Sequence, residues 1–240
     1  MLFFGIAFLI VVCGLALNLV NPPAGYVPAG GAKTGKTKAP AIVQYDGKPS
    51  DMLKTRMFFT TWFIYFIGAG VGLMIIGSVA GMAQKSLGEL AFVAVAILAI
   101  GNAAGRIIAG IMSDKIGRRT TLIIMLSFQT ILMLAAIPLV GAENTSPVLL
   151  VLLATFIGFN YGTNLSIFPS LTKDNWGLKN FGINYGLVFT AWGVGGFVMG
   201  RLSQMLLART GTYTSSLLTA AALLIVGIIL TLTLKAKKTY

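Results

Sequence analysis

Residues 110–119 read Gly-Ile-Met-Ser-Asp-Lys-Ile-Gly-Arg-Arg, and a long apolar stretch lies on each side of them. The preceding stretch is Leu90–Met112 and the following one is Thr120–Gly141. Each has close to the ~20 residues that an α-helix needs to cross the hydrocarbon core of a membrane. Gly117 permits a tight turn between them. The ten residues therefore predict a short joint between two membrane-spanning helices.

Further apolar stretches of similar length occur along the rest of the chain. They are Leu2–Val20, Phe58–Met82, Val148–Pro169, Phe181–Met205 and Thr214–Leu234. The sequence thus predicts an all-α polytopic membrane protein with seven transmembrane helices. One helix (1–20) precedes a linker rich in Pro, Gly and Lys (21–57), for which little regular structure is expected. A six-helix bundle (58–234) and a short cytoplasmic tail (235–240) follow.

The composition agrees with a membrane protein and excludes several other classes. Hydrophobic residues make up 56% of the chain and charged residues only 10%, against about 25% in soluble domains. The sequence contains no histidine and one cysteine, Cys13. Catalysis by a histidine-assisted nucleophile and metal sites built from Cys and His are therefore excluded. We expect no enzymatic activity, no cofactor and no bound metal.

The basic residues indicate how the chain is oriented in the membrane. Fourteen of the 18 lysines and arginines fall in the linker, the joint after Met112, the joint after Pro169 and the tail. These segments lie on one side of the predicted bundle, and basic residues concentrate on the cytoplasmic side. The N-terminus is therefore predicted outside and the C-terminus in the cytoplasm, in a bacterial inner (plasma) membrane. The net charge of +12 reflects this topology and does not indicate nucleic-acid binding.

The joint at 110–119 also carries charges in a specific order. Asp114 lies at the end of a helix, where a carboxylate opposes the helix dipole unless a cation or another helix N-terminus pairs with it. Arg118 and the helix that begins at Phe181 are the candidate partners. The spacing closely resembles the signature joint of the major facilitator superfamily. The resemblance implies a cytoplasmic latch between helices that involves Asp114, Gly117, Arg118 and Arg119.

Three other segments resemble one family within that superfamily, the oxalate/formate antiporters. They are Asn21-Pro-Pro-Ala-Gly-Tyr26, Asn164-Leu-Ser-Ile-Phe-Pro169 and Lys179-Asn-Phe-Gly-Ile-Asn-Tyr-Gly186. The resemblance is in register with the sixth to twelfth spans of that family, so the first five spans have no counterpart here. It implies transport of small carboxylate anions. We expect this chain to be a C-terminal half that needs a separate N-terminal half.

Arg106 is the candidate anchor for such an anion. It precedes Asp114 by eight residues, which places it about 12 Å from the cytoplasmic end of its helix. A cation at that depth should face protein or an aqueous cavity, and Asn102, one turn earlier, shares its face. No acidic residue lies at a comparable depth in the sequence, which favours an anionic substrate as its partner. Alternatively, Arg106 pairs with helix-end carbonyl groups or with the other half. In the resembling family, the anion-binding arginine matches Arg106.

The helix that begins at Phe181 supplies two further candidates, Tyr185 and Trp192. The oxalate-carrying member of the resembling family has a lysine where this chain has Trp192. With one cation instead of two, a monocarboxylate such as pyruvate, lactate or formate is favoured over the dianion oxalate. Plain packing is the alternative role for Trp192.

Two amides, Asn160 and Asn164, lie four residues apart on one face of their helix. They either bind substrate or join neighbouring helices, which is the commoner use of amides in membranes. Small residues in the pattern small-xxx-small predict close helix packing at Gly68/Gly72, Gly77/Gly81, Gly101/Gly105 and Gly196/Gly200.

The sequence thus predicts a carboxylate transporter that works by alternating access. The alternative is a truncated membrane remnant or scaffold that does not transport in the absence of an N-terminal half.

Overall fold

The structure is a computed structural model that describes residues 2–20, 46–87, 91–140 and 146–234. These residues form eight helices and no strand, which confirms the all-α prediction. The helices are α1 (Leu2–Ala16), α2 (Pro49–Met52), α3 (Arg56–Leu87), α4 (Ala91–Ile116), α5 (Arg118–Val140), α6 (Pro147–Trp176), α7 (Phe181–Thr210) and α8 (Thr214–Thr233). Most of the predicted linker, the motif Asn21–Tyr26 and the tail 235–240 lie outside the described residues.

Residues 1–43 and 44–240 form two separate units. In the first unit, α1 is an apolar helix of 15 residues, about 22 Å long at the usual helical rise. It ends at Ala16, and the side-chain amide of Asn18 donates to the carbonyl oxygen of Gly14 at 3.2 Å. α1 is therefore shorter than the predicted stretch Leu2–Val20, and its assignment as a transmembrane helix stays a prediction.

The second unit contains six helices, α3 to α8, that are long and apolar enough to cross a membrane. The described residues thus hold six such spans and, in α1, a shorter apolar helix, which agrees with the predicted six-helix bundle and one preceding helix. The spans also continue beyond the predicted ends on the side assigned to the cytoplasm. α4 extends past Met112 to Ile116, and α6 continues through Pro169 to Trp176. These extensions carry Asp114 and Asp174, so both carboxylates lie at helix ends.

Glycines with positive φ end three of these helices, α4, α6 and α7, the last at Gly211. Gly117 separates α4 from α5 with φ at 88°, and Gly177 ends α6 with φ at 77°. Both angles lie in the left-handed region, where a side chain is strained. The tight turn predicted at Gly117 is confirmed.

Glycines also bring α4 and α6 into close contact. A Cβ atom added at Gly101 or Gly105 would overlap the backbone of α6, and one added at Gly162 would overlap the carbonyl oxygen of Asn102. The close packing predicted at Gly101/Gly105 is confirmed. By contrast, Gly77 and Gly200 have no atom within 4 Å of an added Cβ among the described residues.

The end of the predicted linker differs from the expectation of little regular structure. Residues 49–52 form the single turn α2, and Met52 is buried. The backbone of Gly47 donates to the Trp176 carbonyl oxygen at 2.9 Å and accepts from the side chains of Asn180 and Asn184 at 3.2 and 3.0 Å. These hydrogen bonds order the chain next to the α6–α7 joint. Sequence periodicity cannot reveal them, since they join residues more than 120 positions apart.

Candidate functional site

Arg106 lies on α4 with its side chain exposed. Its Nε donates to the Oδ1 atom of Asn102 at 3.1 Å, so the residue one turn earlier orients the guanidinium, as their shared face predicted. The two terminal nitrogens have no hydrogen bond or ion pair with any described residue. Gly105 presses the same turn of α4 onto the backbone of Phe159, which fixes the position of the arginine beside α6. The guanidinium is therefore held at one edge and open at the other.

Three tyrosines from three other helices lie in the neighbourhood of Arg106. The hydroxyl groups of Tyr65 on α3, Tyr161 on α6 and Tyr185 on α7 are all within Coulombic range of the Arg106 guanidinium. A phenol hydroxyl donates one hydrogen bond, so each is suited to a negatively charged oxygen. Four helices of the bundle thus converge on one region that combines a cation with neutral donors.

Aromatic side chains of α7 form one wall of this region. We call Phe181, Tyr185, Phe189 and Trp192 the aromatic wall; their spacing of three and four residues puts them on one helix face. Successive rings contact each other, with centroids 5.7, 5.5 and 5.2 Å apart. The Trp192 indole nitrogen donates to the Tyr161 hydroxyl oxygen at 2.7 Å, which joins the wall to α6.

Tyr65 completes the region from α3. Its ring stacks on Phe168 with the centroids 4.0 Å apart, and it is fully buried. Its hydroxyl lies near that of Tyr185 and interacts with it. The region therefore combines aromatic walls with a few polar groups, the composition that small-molecule sites have.

Four of the predicted site residues meet here: Arg106, Asn102, Tyr185 and Trp192. Asn160 and Asn164 do not join them. Both are buried, and Asn160 donates to the Met125 carbonyl oxygen of α5 at 2.8 Å, while Asn164 donates to the Asn160 carbonyl oxygen at 3.3 Å. The Asn160 bond favours the alternative role in joining helices, while the Asn164 bond lies within α6 itself.

Two tyrosines of the site, Tyr65 and Tyr161, were not among the predicted site residues. Tyr161 follows Asn160 directly and so points about 100° away from it around the helix. A search for polar residues on the face next to the amides would have found it. Tyr65 lies in a run of aromatic residues with no local feature that distinguishes it.

At the α4–α5 joint, Arg118 contacts residues of both α4 and α6. It forms an ion pair with Asp114, one of the two partners considered for that carboxylate, and its terminal nitrogen donates to Ser113. Its Nε also contacts the Oδ2 atom of Asp174 at 3.1 Å, which links the α4–α5 joint to the end of α6. Asp174 was not predicted, because nothing in its local sequence indicates which arginine it meets.

Arg119 contacts a different helix. Its terminal nitrogen donates to the Leu232 carbonyl oxygen in the last turn of α8. A cation is favourable there, because the last carbonyl groups of a helix carry partial negative charge. The residues predicted to form one latch therefore have different contacts. Gly117 makes the turn, Arg118 joins the α4–α5 joint to α6, and Arg119 joins it to α8.

The helical fold, with six helices long and apolar enough to cross a membrane among the described residues, is that of a polytopic membrane protein. The family model of the Major Facilitator Superfamily matches residues 1–200 and, in an overlapping alignment, residues 61–239. The chain therefore belongs to the major facilitator superfamily, as the joint at 110–119 indicated.

Three curated relatives are similar to parts of the chain. The oxalate:formate antiporter of Oxalobacter formigenes is 26% identical over 90% of this chain and 51% of its own length. An uncharacterized MFS-type transporter, YhjX, of Escherichia coli is 29% identical over 64% of this chain and 38% of its own length. The MFS transporter asaE of Aspergillus flavus is 32% identical over 51% of this chain and 27% of its own length. The chain thus spans about half, or less, of the length of these relatives.

Proposed function

We propose that this chain forms part of a transporter that moves small carboxylate anions across the bacterial inner membrane by alternating access. Its preferred substrates are monocarboxylates such as pyruvate, lactate or formate. The observation that carries the proposal is the Arg106 guanidinium, which lies within a membrane span with its terminal nitrogens unpaired in the described chain. Three phenol hydroxyls lie in its Coulombic range.

The charge balance of the spans supports an anionic ligand. The described spans carry carboxylates only at helix ends, at Asp114 and Asp174, and both contact Arg118. An arginine at the centre of a span costs roughly 2.5–3.5 kcal/mol or more unless it is paired or hydrated. A carboxylate offsets this cost through two parallel hydrogen bonds to the planar guanidinium. A small acid is therefore the ligand that best matches the site.

The relative from Oxalobacter supports the chemical class of the substrate, since its name gives oxalate and formate as what it exchanges. The preference for monocarboxylates comes from Trp192. This residue occupies the position where the resembling family's oxalate carrier has a second cation, so one positive charge remains for the substrate. One cation balances one carboxylate, and the aromatic wall suits the apolar end of pyruvate or lactate.

We further propose that a separate N-terminal half completes the transporter. Facilitator sites lie between two halves, and the chain spans 51% of the Oxalobacter relative. In that arrangement the terminal nitrogens of Arg106 face the N-terminal half. Because the chain spans only 51% of the Oxalobacter relative, a second candidate function is a membrane remnant or scaffold that does not transport by itself.

The test is uptake of labelled carboxylates into proteoliposomes. We compare the chain alone with the chain co-expressed with an N-terminal facilitator half, here called the two-half transporter. We expect saturable uptake of pyruvate or lactate by the two-half transporter and none by the chain alone. Absence of saturable uptake in both preparations would support the remnant.

Substitution of Arg106 then tests the anion anchor. Arg106→Gln should nearly abolish uptake, because the site has no second cation at that depth in the described residues. Arg106→Lys keeps the charge and loses the two-point grip, so affinity should fall by about 1–3 kcal/mol. Arg209→Gln is the matched control, since Arg209 is an exposed arginine in the last turn of α7. Uptake by Arg106→Gln at the control level would refute the proposal.

A further inference from the structure

We propose that Tyr161 is the second hydrogen-bond donor to the substrate carboxylate and that Trp192 is the residue that positions it. This inference rests on the proposed function and makes the site more specific. Arg106 supplies the charge, and the Tyr161 hydroxyl supplies a donor without charge. The ligand that fits such a pair is a monocarboxylate.

The direction of the Tyr161 hydroxyl follows from its partner. The indole N–H of Trp192 can only donate, so at 2.7 Å the Tyr161 oxygen must accept. The hydrogen of Tyr161 is therefore left to donate elsewhere, and it has no acceptor among the described residues. A tyrosine that already accepts one hydrogen bond is a better donor for a second, because hydrogen bonds in a chain polarise one another.

The ring of Tyr161 is held in place from two sides. It is buried, with 7% of its surface exposed, and packs against α3 at Gly72, where an added Cβ would lie 2.7 Å from its Cδ2 atom. Trp192 itself stacks on Phe189 with an angle of 9° between the rings. The hydroxyl is consequently fixed before any ligand arrives, which reduces the entropy lost on binding.

The same region contains the arginine. Asn102, which orients Arg106, packs against Gly162, the residue directly after Tyr161; its Oδ1 atom is 3.0 Å from the position of an added Cβ. The Arg106 guanidinium is also within Coulombic range of the Tyr161 hydroxyl. A carboxylate on the terminal nitrogens of Arg106 therefore lies beside the Tyr161 hydroxyl and accepts its hydrogen.

This arrangement explains how the site selects for charge. A lysine at position 192 would add a second positive charge and favour dianions by Coulomb attraction. The Trp192–Tyr161 pair instead adds a donor and leaves the charge at +1. Trp192 is thus a determinant of specificity through the tyrosine that it holds.

The experiment measures pyruvate uptake kinetics for Tyr161→Phe, Trp192→Phe and the double variant in the two-half transporter. Tyr161→Phe keeps the ring and removes the donor, so the KM should rise about tenfold with little change in kcat. Trp192→Phe keeps the stacking on Phe189 and removes the N–H, so the KM should rise about threefold. The double variant should be no worse than Tyr161→Phe, because Trp192 acts through the hydroxyl.

A matched control removes the same group away from the site. Tyr213→Phe removes a phenol hydroxyl at the start of α8. It should leave the KM unchanged. Thermal stability in detergent is measured for every variant, and if Tyr161→Phe is unstable, Trp192→Phe carries the test with the Tyr161 ring still in place.

A further variant, Trp192→Lys, tests the charge argument. Competition by oxalate against labelled pyruvate should become at least fivefold stronger than in the wild type. An unchanged ratio of oxalate to pyruvate competition would overturn the role of Trp192 in charge selection.

The outcomes separate this inference from the proposed function. If Arg106→Gln abolishes uptake and Tyr161→Phe leaves the KM unchanged, the second donor is wrong and the transporter stands. If the effects of Tyr161→Phe and Trp192→Phe add in the double variant, Trp192 does not act through Tyr161 and its positioning role is wrong. If Arg106→Gln leaves uptake unchanged, the proposed function itself fails.

Discussion

Asn160 and Tyr161 are consecutive residues of α6, yet they belong to two different polar regions. Asn160 is buried and donates across the bundle to the backbone of α5. Tyr161 accepts from Trp192, and its own hydrogen has no acceptor among the described residues. In the first region the amides are occupied with protein, and in the second region donors remain open. A polar residue inside a membrane helix thus serves adhesion or ligand binding according to the face on which it lies.

The adhesion region extends along α6 and includes α5. Thr163 donates to the Asn160 carbonyl oxygen at 2.6 Å, and Gln129 of α5 contacts the Gly68 carbonyl oxygen of α3 at 3.5 Å. The Thr163 bond lies within α6, whereas the Asn160 and Gln129 bonds join α6 to α5 and α5 to α3. A hydrogen bond between helices is worth about 0.6 kcal/mol on average inside a membrane. The region therefore stabilises the bundle and leaves few hydrogen-bonding groups for a substrate.

The largest effect on stability is expected from Gly105→Ala. The added Cβ would overlap the Phe159 carbonyl oxygen and force α4 away from α6, so unfolding should become easier by about 1–3 kcal/mol. Because this contact also fixes Arg106, carboxylate affinity should fall as well. Detergent thermal denaturation and the KM for pyruvate are the measurements.

Gly77→Ala is the matched control for that substitution. Gly77 is also helical, and nothing described lies within 4 Å of its added Cβ, so the change should be neutral or slightly stabilising. Equal destabilisation by both substitutions would show that the loss comes from the helix itself and not from the α4–α6 contact.

A smaller effect, about 1 kcal/mol, is expected from Asn160→Ala, which removes the hydrogen bond to Met125. This loss should appear in the thermal stability, while the KM for pyruvate stays at the wild-type value. The opposite pattern, normal stability with a raised KM, would break the distinction between the two regions and return Asn160 to the substrate site.

The smallest effect on stability is expected from Asp114→Asn. The Asp114 side chain is 68% exposed, and Arg118 keeps its contact with Asp174, so the loss should be below about 1 kcal/mol. We expect the transport rate of the two-half transporter to fall more strongly, because the substitution weakens a contact that links helix ends. Parallel losses of rate and stability would show that Asp114 is structural only.

Much of this molecule follows from local features of the sequence. Six spans, the turn at Gly117 and the pairing of Asp114 with Arg118 depend on residues close together along the chain, and hydrophobicity or spacing reveals them. The apolar α1 was also predicted, and its role as a membrane span stays a prediction. The orientation of the termini and the need for an N-terminal half stay predictions.

The features that sequence reasoning missed depend on contacts between distant residues. Asp174 meets Arg118, Gly47 meets the α6–α7 joint, and Tyr161 meets Trp192, each over more than 30 positions. Residue types at these positions permit many partners, and only the packing of the helices selects one. The candidate site was therefore found through its one unusual residue, the intramembrane Arg106, while Tyr65 and Tyr161 emerged from the fold.

Restoration of charge at position 106 tests the central claim most directly. The two-half transporter carries Cys13→Ser and Arg106→Cys, and the cysteine at position 106 is treated with a thiosulfonate reagent. One reagent attaches an ethylammonium group, and a second attaches a neutral group of similar size. We predict that the unmodified variant and the neutral adduct take up almost no pyruvate, and that the positive adduct recovers saturable uptake. Equal uptake by both adducts, or wild-type uptake by the unmodified variant, would contradict the role of Arg106 as the anion anchor.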